Sequence, residues 1–228
     1  MEEKKHIVIS LGGSLIVPDE VDSQFLKEFT DMIKDYAKDG FKFVIITGGG
    51  KIARKYQNVA KEISNASNND LDWLGIRALC LNAELLRVVF GDTAYGFVVL
   101  DTSGKINFDK SVVIGAAHKP GSSTDLSAIM AAKNIGAEKV INLSNIDYAY
   151  DKDPNKFPDA KKLESVSWSE YRSLIPAEWN PGLSTPFDPI ASKMAEEAGL
   201  EVAILNGKNI DNLKNYLDGK EFVGTVIK

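Results

Sequence analysis

The sequence predicts an α/β fold, a mainly parallel sheet covered by helices on both faces. Three observations carry that prediction. Short apolar runs alternate along the chain with segments of helical periodicity, the pattern of right-handed βαβ units. Two of the apolar runs end in glycine-rich turns: Ile7-Val8-Ile9-Ser10-Leu11 leads into Gly12-Gly13-Ser14, and Phe43-Val44-Ile45-Ile46-Thr47 leads into Gly48-Gly49-Gly50-Lys51. No repeat or low-complexity linker divides the 228 residues, a length that suits one α/β domain or two small ones.

Each element follows from local pattern. After the first strand, Phe25, Leu26, Phe29, Met32, Ile33 and Tyr36 recur at helical spacing within residues 21–38, and Gly40 is a natural stop. Residues 41–47 form the second strand. A helix is expected over 51–63, a polar loop over 64–70, and a longer helix over 72–90. Residues 94–100 read as a strand and Asp101-Thr102-Ser103-Gly104 as a turn. A short apolar run at 111–114 ends at Gly115, residues 125–135 are helical, and 139–143 form a further strand. Residues 148–186 are richer in Pro, Asp and Lys and less periodic; they read as an insertion of loops, with or without a hairpin, and not as a separate domain. Residues 188–198 are helical, with Asp188 as N-cap, Pro189 in the first turn and Gly199 at the end. A strand at 201–205, a helix near 211–217 and a last strand at 222–227 complete the chain.

Bulk composition narrows the function classes. The chain is 44% hydrophobic and 26% charged, ordinary for a globular protein. A formal charge of -5 argues against a general nucleic-acid binder but leaves local nucleotide sites open. Cys80 is the only cysteine, so an intramolecular disulfide and a cysteine-based metal site are both excluded, in keeping with a reducing cytoplasm. Met1-Glu2-Glu3-Lys4-Lys5 runs into the first strand without a signal-peptide apolar region, and no apolar run approaches the roughly 20 residues of a membrane helix.

The glycine turns carry the first functional signal. Without side chains, glycines let a ligand approach the backbone, and the N–H groups of a following helix start favour a phosphate. Gly12-Gly13-Ser14 alone is equally an ordinary tight turn. Three consecutive glycines at 48–50 are harder to explain structurally, because each loses much backbone entropy on folding. Two such turns suggest a site for two phosphate-bearing groups, as a kinase needs. A competing reading exists: Gly48, Gly50 and Ala53 fit G-x-G-x-x-G/A with Asp70 or Asp72 downstream, a dinucleotide-type fingerprint. That fingerprint belongs in the first βα unit, with its acid after a second strand, whereas Asp72 opens a helical pattern. Neither turn is a Walker A loop, since Ile52 follows Lys51.

Further on, His118-Lys119-Pro120-Gly121-Ser122-Ser123-Thr124-Asp125 precedes a helix. Hydroxyls at a helix start are usual caps, but three hydroxyls, a lysine and a histidine together also suit a phosphate or sugar. Ser144-Asn145-Ile146-Asp147 closes a strand and is, by itself, an ordinary turn. His6, Cys80, Trp73, Trp168 and Trp179 read as structural residues, and the charged faces of helices such as 51–61 as solvated surface.

Taken in order, these motifs resemble the amino-acid-kinase superfamily, and within it the archaeal-type uridylate (UMP) kinases. The anchors are Gly12-Gly13-Ser14, Gly48-Gly49-Gly50-Lys51-Ile52-Ala53-Arg54-Lys55-Tyr56, Asp72-Trp73-Leu74-Gly75-Ile76, Asn82-Ala83-Glu84-Leu85-Leu86 and Gly121-Ser122-Ser123-Thr124-Asp125. Ser144-Asn145-Ile146-Asp147 with Tyr150 and Asp153-Pro154, then Asp188-Pro189-Ile190-Ala191-Ser192-Lys193 and Gly224-Thr225, extend the match over nearly the whole chain.

The resemblance implies a single three-layer αβα sandwich over 1–228, with the acceptor side mainly in 1–135 and the ATP side mainly in 136–228. It implies magnesium-assisted transfer of the γ-phosphate of ATP to UMP, giving UDP. Gly13, Ser14, Gly50 and Arg54 would face ATP phosphates, and Ser144, Tyr150 and Asp153 would line the adenine-nucleotide pocket. Gly49 and Asp72 would contact UMP, Asp72 by accepting from a ribose hydroxyl, and Ala117, His118, Lys119, Gly121, Ser122, Ser123 and Thr124 would wrap it. Lys193 would offset charge on the transferred phosphate. No protein metal ligand, nucleic acid or membrane is implied; a cytoplasmic homo-oligomer, a hexamer built as a trimer of dimers, is. Three positions depart from the pattern. Ser10 stands where many superfamily kinases carry a lysine, an absence shared by archaeal UMP kinases; Lys51 or Lys119 would supply the charge. The 118–121 loop is one residue longer, and Tyr148 replaces a glycine. The rival expectations are a kinase for another small acceptor and a non-catalytic nucleotide- or oxyanion-binding relative.

Overall fold

The structure, a computed structural model, describes residues 5–117, 119–178 and 185–228. Its frame is a seven-stranded sheet in the order β3-β2-β1-β4-β8-β9-β7. The strands are β1 (His6–Leu11), β2 (Lys42–Thr47), β3 (Val112–Gly115), β4 (Lys139–Ser144), β7 (Ser165–Val166), β8 (Glu201–Asn206) and β9 (Thr225–Ile227). All neighbouring pairs are parallel except β8 with β9. The central strands are near-continuous apolar runs because both faces are covered. Ile9, Phe43, Ile45 and Leu143 face one core, while Val8, Val44, Ile46 and Val140 face the other.

Helices α1 (Gly13–Ile16), α2 (Ser23–Lys38), α4 (Asn68–Phe90) and α8 (Ile210–Leu217) cover the first face. Helices α5 (Thr124–Ile135), α6 (Trp168–Leu174) and α7 (Pro189–Glu197) cover the second. Helix α3 (Gly50–Ile63) buries only Ala53 and packs on α4 and α1, above the sheet layer. No helix among the described residues is long and apolar enough to cross a membrane.

Most expected elements are present, and four differ. Residues 94–100 are not a strand. Tyr95 N donates to Val112 O and Val99 N to Ile114 O, each at 2.8 Å, so four residues of advance on one side match two on β3. The segment around Gly96 and the exposed Phe97 therefore loops out, leaving isolated bridges at Ala94 and Val99. Helix α4 starts at Asn68, earlier than expected, because Ser67 and Asp70 form a reciprocal capping box. The last strand is only Thr225–Ile227. Within 148–186 the hairpin exists as β5 (Ala149–Tyr150) paired with β6 (Lys162–Leu163), but the segment also supplies an edge strand and the unexpected α6. Trp179 lies outside the described residues; the Ser167 cap on Glu170 N was the sequence signal for α6.

Tyr171 links α6 to the segment entering α7. Its buried hydroxyl donates to Phe187 O at 3.2 Å and accepts from Phe187 N at 2.8 Å. Tyr171→Phe leaves both backbone groups without that partner and should lower unfolding free energy by about 1–3 kcal/mol in chemical denaturation; a change within about 0.3 kcal/mol would contradict this role.

Candidate active site

Parallel neighbours β1 and β2 are in register at Leu11 and Thr47, so the two glycine turns leave the sheet side by side. They are in direct backbone contact. A Cβ on Gly13 would sit 2.3 Å from Gly48 O and 2.4 Å from Gly50 N; one on Gly50 would sit 2.3 Å from the Gly13 carbonyl carbon. Gly50 also has φ +59°, a left-handed conformation that glycine adopts cheaply. The glycines are thus required by each other, and the two turns form one surface. Gly12 N donates to Leu143 O at 2.8 Å, tying that surface to β4.

Helix α4 holds it from behind. Asn82 Nδ2 donates to Gly48 O at 2.8 Å and Thr47 Oγ1 to Leu79 O at 3.0 Å, all buried. Arg54 Nη2 donates to Ser14 Oγ at 3.2 Å, joining α3 to α1 across the turns. Gly49 caps α3 with no side-chain bond to the first amides. Those amides, the helix dipole of α3 and the Arg54 guanidinium favour an anion at this point.

A second cluster lies where α4 begins. Asp72 Oδ2 accepts from Gly121 N at 3.1 Å, so Asp72 and the loop at 117–124 meet across 49 positions of sequence. The Cys80 thiol, its pKa raised by burial, points at Ala117 O. Ser123 caps α5 through Leu126 N at 3.1 Å, while Lys119 is exposed. His118 lies outside the described residues.

Asp125 joins the strand ends to α7. Its Oδ1 accepts from Ser10 Oγ and from Asn142 Nδ2, both at 2.8 Å, and its Oδ2 accepts from Asp188 N at 3.2 Å. Burial pushes the Asp125 carboxyl up to about 6, against the three donors that lower it. Asp188 in turn caps α7 through Ala191 N at 2.7 Å and is itself raised by burial. Beside this network Asn142 Oδ1 and Ser144 Oγ are buried with no hydrogen-bond partner. Ser144 sits directly behind Gly12.

The remaining expected residues are spread more widely. Lys51 Nζ pairs with Asp19 at 3.1 Å, and Lys193, which borders a cavity of about 290 Å³ between α6 and α7, has its Nζ 4.0 Å from the exposed Glu197. Neither ammonium touches the glycine turns. Tyr150 and Asp153 lie on the β5–β6 hairpin, where Asp153 accepts from Asn155 N at 3.0 Å and shapes a turn. Sequence reasoning missed Asn82, Asp125 and Asn142 as parts of the site. A polar residue inside the apolar run Val-Ile-Asn-Leu was the signal for Asn142; Asp125 looked like any acid in a first helical turn.

Residues 5–206 match the description "Amino acid kinase family". The chain belongs to that family. Among relatives of the family, it is 35% identical to the uridylate kinase of Methanobrevibacter smithii over 225 residues, 97% of this chain and 98% of that one. It is 36% identical to the uridylate kinase of Methanocaldococcus jannaschii over 208 residues, 88% and 90% of the two chains. The crystal structure of uridylate kinase from Archaeoglobus fulgidus superposes with TM-score 0.83 at 31% identity, covering 97% of this chain and 99% of that chain. UMP kinase from Bacillus anthracis, 20% identical with TM-score 0.78, shares the fold.

In this family member the turn contact and the Asp125 network each give a test. Gly13→Ala must separate the turns and should lower kcat/KM for phosphoryl transfer about 100-fold; activity within about twofold of wild type would contradict the shared surface. For Asp125, the folded carboxyl at about 6 stands above its ordinary 3.8, so the folded state holds the proton between those values. The group's contribution to stability is full below about pH 4 and is lost as pH rises through 6, by no more than about 3 kcal/mol. Asp188, also raised by burial, keeps part of this fall, so unfolding free energies from pH 4 to 7 should fall further in wild type than in Asp125→Asn; parallel profiles would contradict it.

Proposed function

We propose that the chain transfers the γ-phosphate of ATP to UMP, giving UDP and ADP in pyrimidine nucleotide synthesis. The observation that carries this reading is the direct contact of two glycine turns at adjacent strand ends, which provides one surface for donor and acceptor phosphates. A UMP phosphate oxygen attacks the γ-phosphorus as the bond to the β–γ bridging oxygen breaks. Such transfer needs positioning and charge stabilisation more than covalent chemistry.

On the donor side stand Gly13, Ser14, Gly50 and Arg54 at the phosphates, with Ser144, Tyr150 and Asp153 toward the adenine nucleotide. On the acceptor side stand Gly49, Asp72 and residues 117–124. The Asp72–Gly121 contact supports that grouping, because it brings a hydroxyl acceptor beside the loop. Lys193 and Lys51 are the proposed cations for the transferred phosphate.

Magnesium would arrive on ATP and neutralise phosphate charge. No group of three or more His, Cys, Asp or Glu among the described residues forms a metal cage. We take the ion as held mainly by substrate phosphates and water. The unpartnered Asn142 Oδ1 and Ser144 Oγ are hard donors that would face it. We further place the enzyme in the cytoplasm as a homohexamer. Tyr56, Val59 and Ile63, exposed along α3, support self-association.

A second reading, a nucleotide-binding relative without transfer, is favoured by one observation: Lys51 and Lys193 face Asp19 and Glu197 rather than the glycine turns. A coupled ATP-consumption assay over UMP, CMP and small acids separates the two. Turnover with UMP is expected; tight ATP binding without turnover on any acceptor would establish the second reading. Asp72→Ala should raise the KM for UMP about tenfold with that for ATP unchanged, and the reverse pattern would exchange the two sides. Lys193→Ala should lower kcat about 100-fold or more; an unchanged kcat would remove Lys193 from catalysis.

A further inference from the structure

Thr225 is a buried hydroxyl that none of the steps above uses. It lies on β9, where its backbone pairs with Ile204 of β8. Its side chain leaves the main sheet and enters the small hairpin. Ala149 N donates to Thr225 Oγ1 at 2.9 Å, and Thr225 Oγ1 donates to Leu163 O. Ala149 and Leu163 are directly opposed residues of the β5–β6 ladder. One hydroxyl therefore uses both its acceptor and its donor capacity to bridge the two hairpin strands and fasten them to β9.

The hairpin rests on that fastening together with apolar contacts, since Ala149 is buried and Ile146 and Leu163 pack on the same core. Its ladder is only Ala149–Tyr150 against Lys162–Leu163, and an isolated two-stranded hairpin is marginal in water. Its tip is closed by its own contacts, such as Lys161 N donating to Asp151 Oδ1 at 2.8 Å and Lys152 pairing with Asp159 at 2.7 Å. Those bonds set the shape of the hairpin and not its place. At the base, Asn206 Nδ2 donates to Asp147 Oδ1 at 2.9 Å, but that contact is exposed. Thr225 supplies a dry polar attachment, bonded to Ala149, the neighbour of Tyr150.

We propose that Thr225 is a positioning residue for the donor nucleotide: its hydroxyl holds the β5–β6 hairpin, with Tyr150 on it, in the orientation that receives ATP. This rests on the donor-side assignment of Tyr150 made above. Removing the hydroxyl takes one buried partner from Ala149 N and one from Leu163 O, which favours hairpin opening and taxes every ATP-binding event.

Steady-state kinetics on the full chain test this with Thr225→Val, Thr225→Ala, Thr225→Ser and Tyr150→Ala. The valine variant is near-isosteric without the hydroxyl, and the alanine variant removes it without crowding. In both, KM for ATP should rise about fivefold or more, with kcat and KM for UMP within about twofold of wild type. Serine, which keeps the hydroxyl, should restore KM for ATP. Amide hydrogen exchange at Ala149 should accelerate about tenfold or more in the valine and alanine variants. An unchanged KM for ATP, an equal rise in the serine variant, or misfolding of both hydroxyl-less variants would overturn the proposal and leave Thr225 as a core residue. Tyr150→Ala separates this from the underlying assignment. If it raises KM for ATP while Thr225→Val does not, only the role of Thr225 fails. If it leaves KM for ATP unchanged, the donor-side placing of the hairpin fails.

Discussion

The backbone of Gly13 packs against the backbone of Gly48 and Gly50, closer than any Cβ would permit. That approach governs the rest of the site. It requires glycine on both turns, it requires β1 and β2 to be adjacent and parallel, and it forces α1 and α3 to start next to each other. A loop clad in side chains would stand further out, and α3, with its first amides and Arg54, would then be drawn away from Ser14, which Arg54 now meets at 3.2 Å. The contact thus converts two turns, each with an entropic cost on folding, into one preorganised surface whose hydrogen-bond donors do not need to reorient when charge arrives.

Behind that surface the structure places polar side chains where a sheet core is otherwise apolar. Asn82 steadies Gly48 from α4, and Asp125 gathers Ser10, Asn142 and the amide of Asp188. Burying a carboxylate costs free energy even when donors surround it, as the raised Asp125 carboxyl records. An apolar residue there would pack more cheaply but would leave β1, β4 and α7 without a common partner. The network is therefore read as geometry held at some cost to stability, at the carboxyl ends of parallel strands where α/β folds bind ligands. The Ser10 hydroxyl serves the same carboxylate network from within β1.

Sheet and main helices were legible in the sequence because apolar runs of Val, Ile and Leu and helical spacing are local signals. The glycine turns were legible for the same reason: three successive glycines are conspicuous. What the turns do to each other was not, since contact between Gly13 and Gly50 depends on strand order. The segment at 94–100 misled because its apolar residues suit a strand, while the count of residues against β3 makes it bulge. Asp125 and Asn142 were hidden by context: one sits in a helix start and one in a strand, and only their distance in space shows a network. Thr225 was visible as a residue of the last strand, yet its hydroxyl serves a hairpin over sixty positions earlier in the chain, an attachment that no local pattern encodes.

The central claim is that both turns act as one phosphate surface. Backbone amide shifts of uniformly labelled protein test it most directly, recorded with a non-hydrolysable ATP analogue, with UMP, and with both. The analogue should shift the amides of Gly13, Ser14 and Gly50, and UMP should then shift those of Gly49 and Gly121. Shifts confined to one turn, or to residues remote from both, would contradict it.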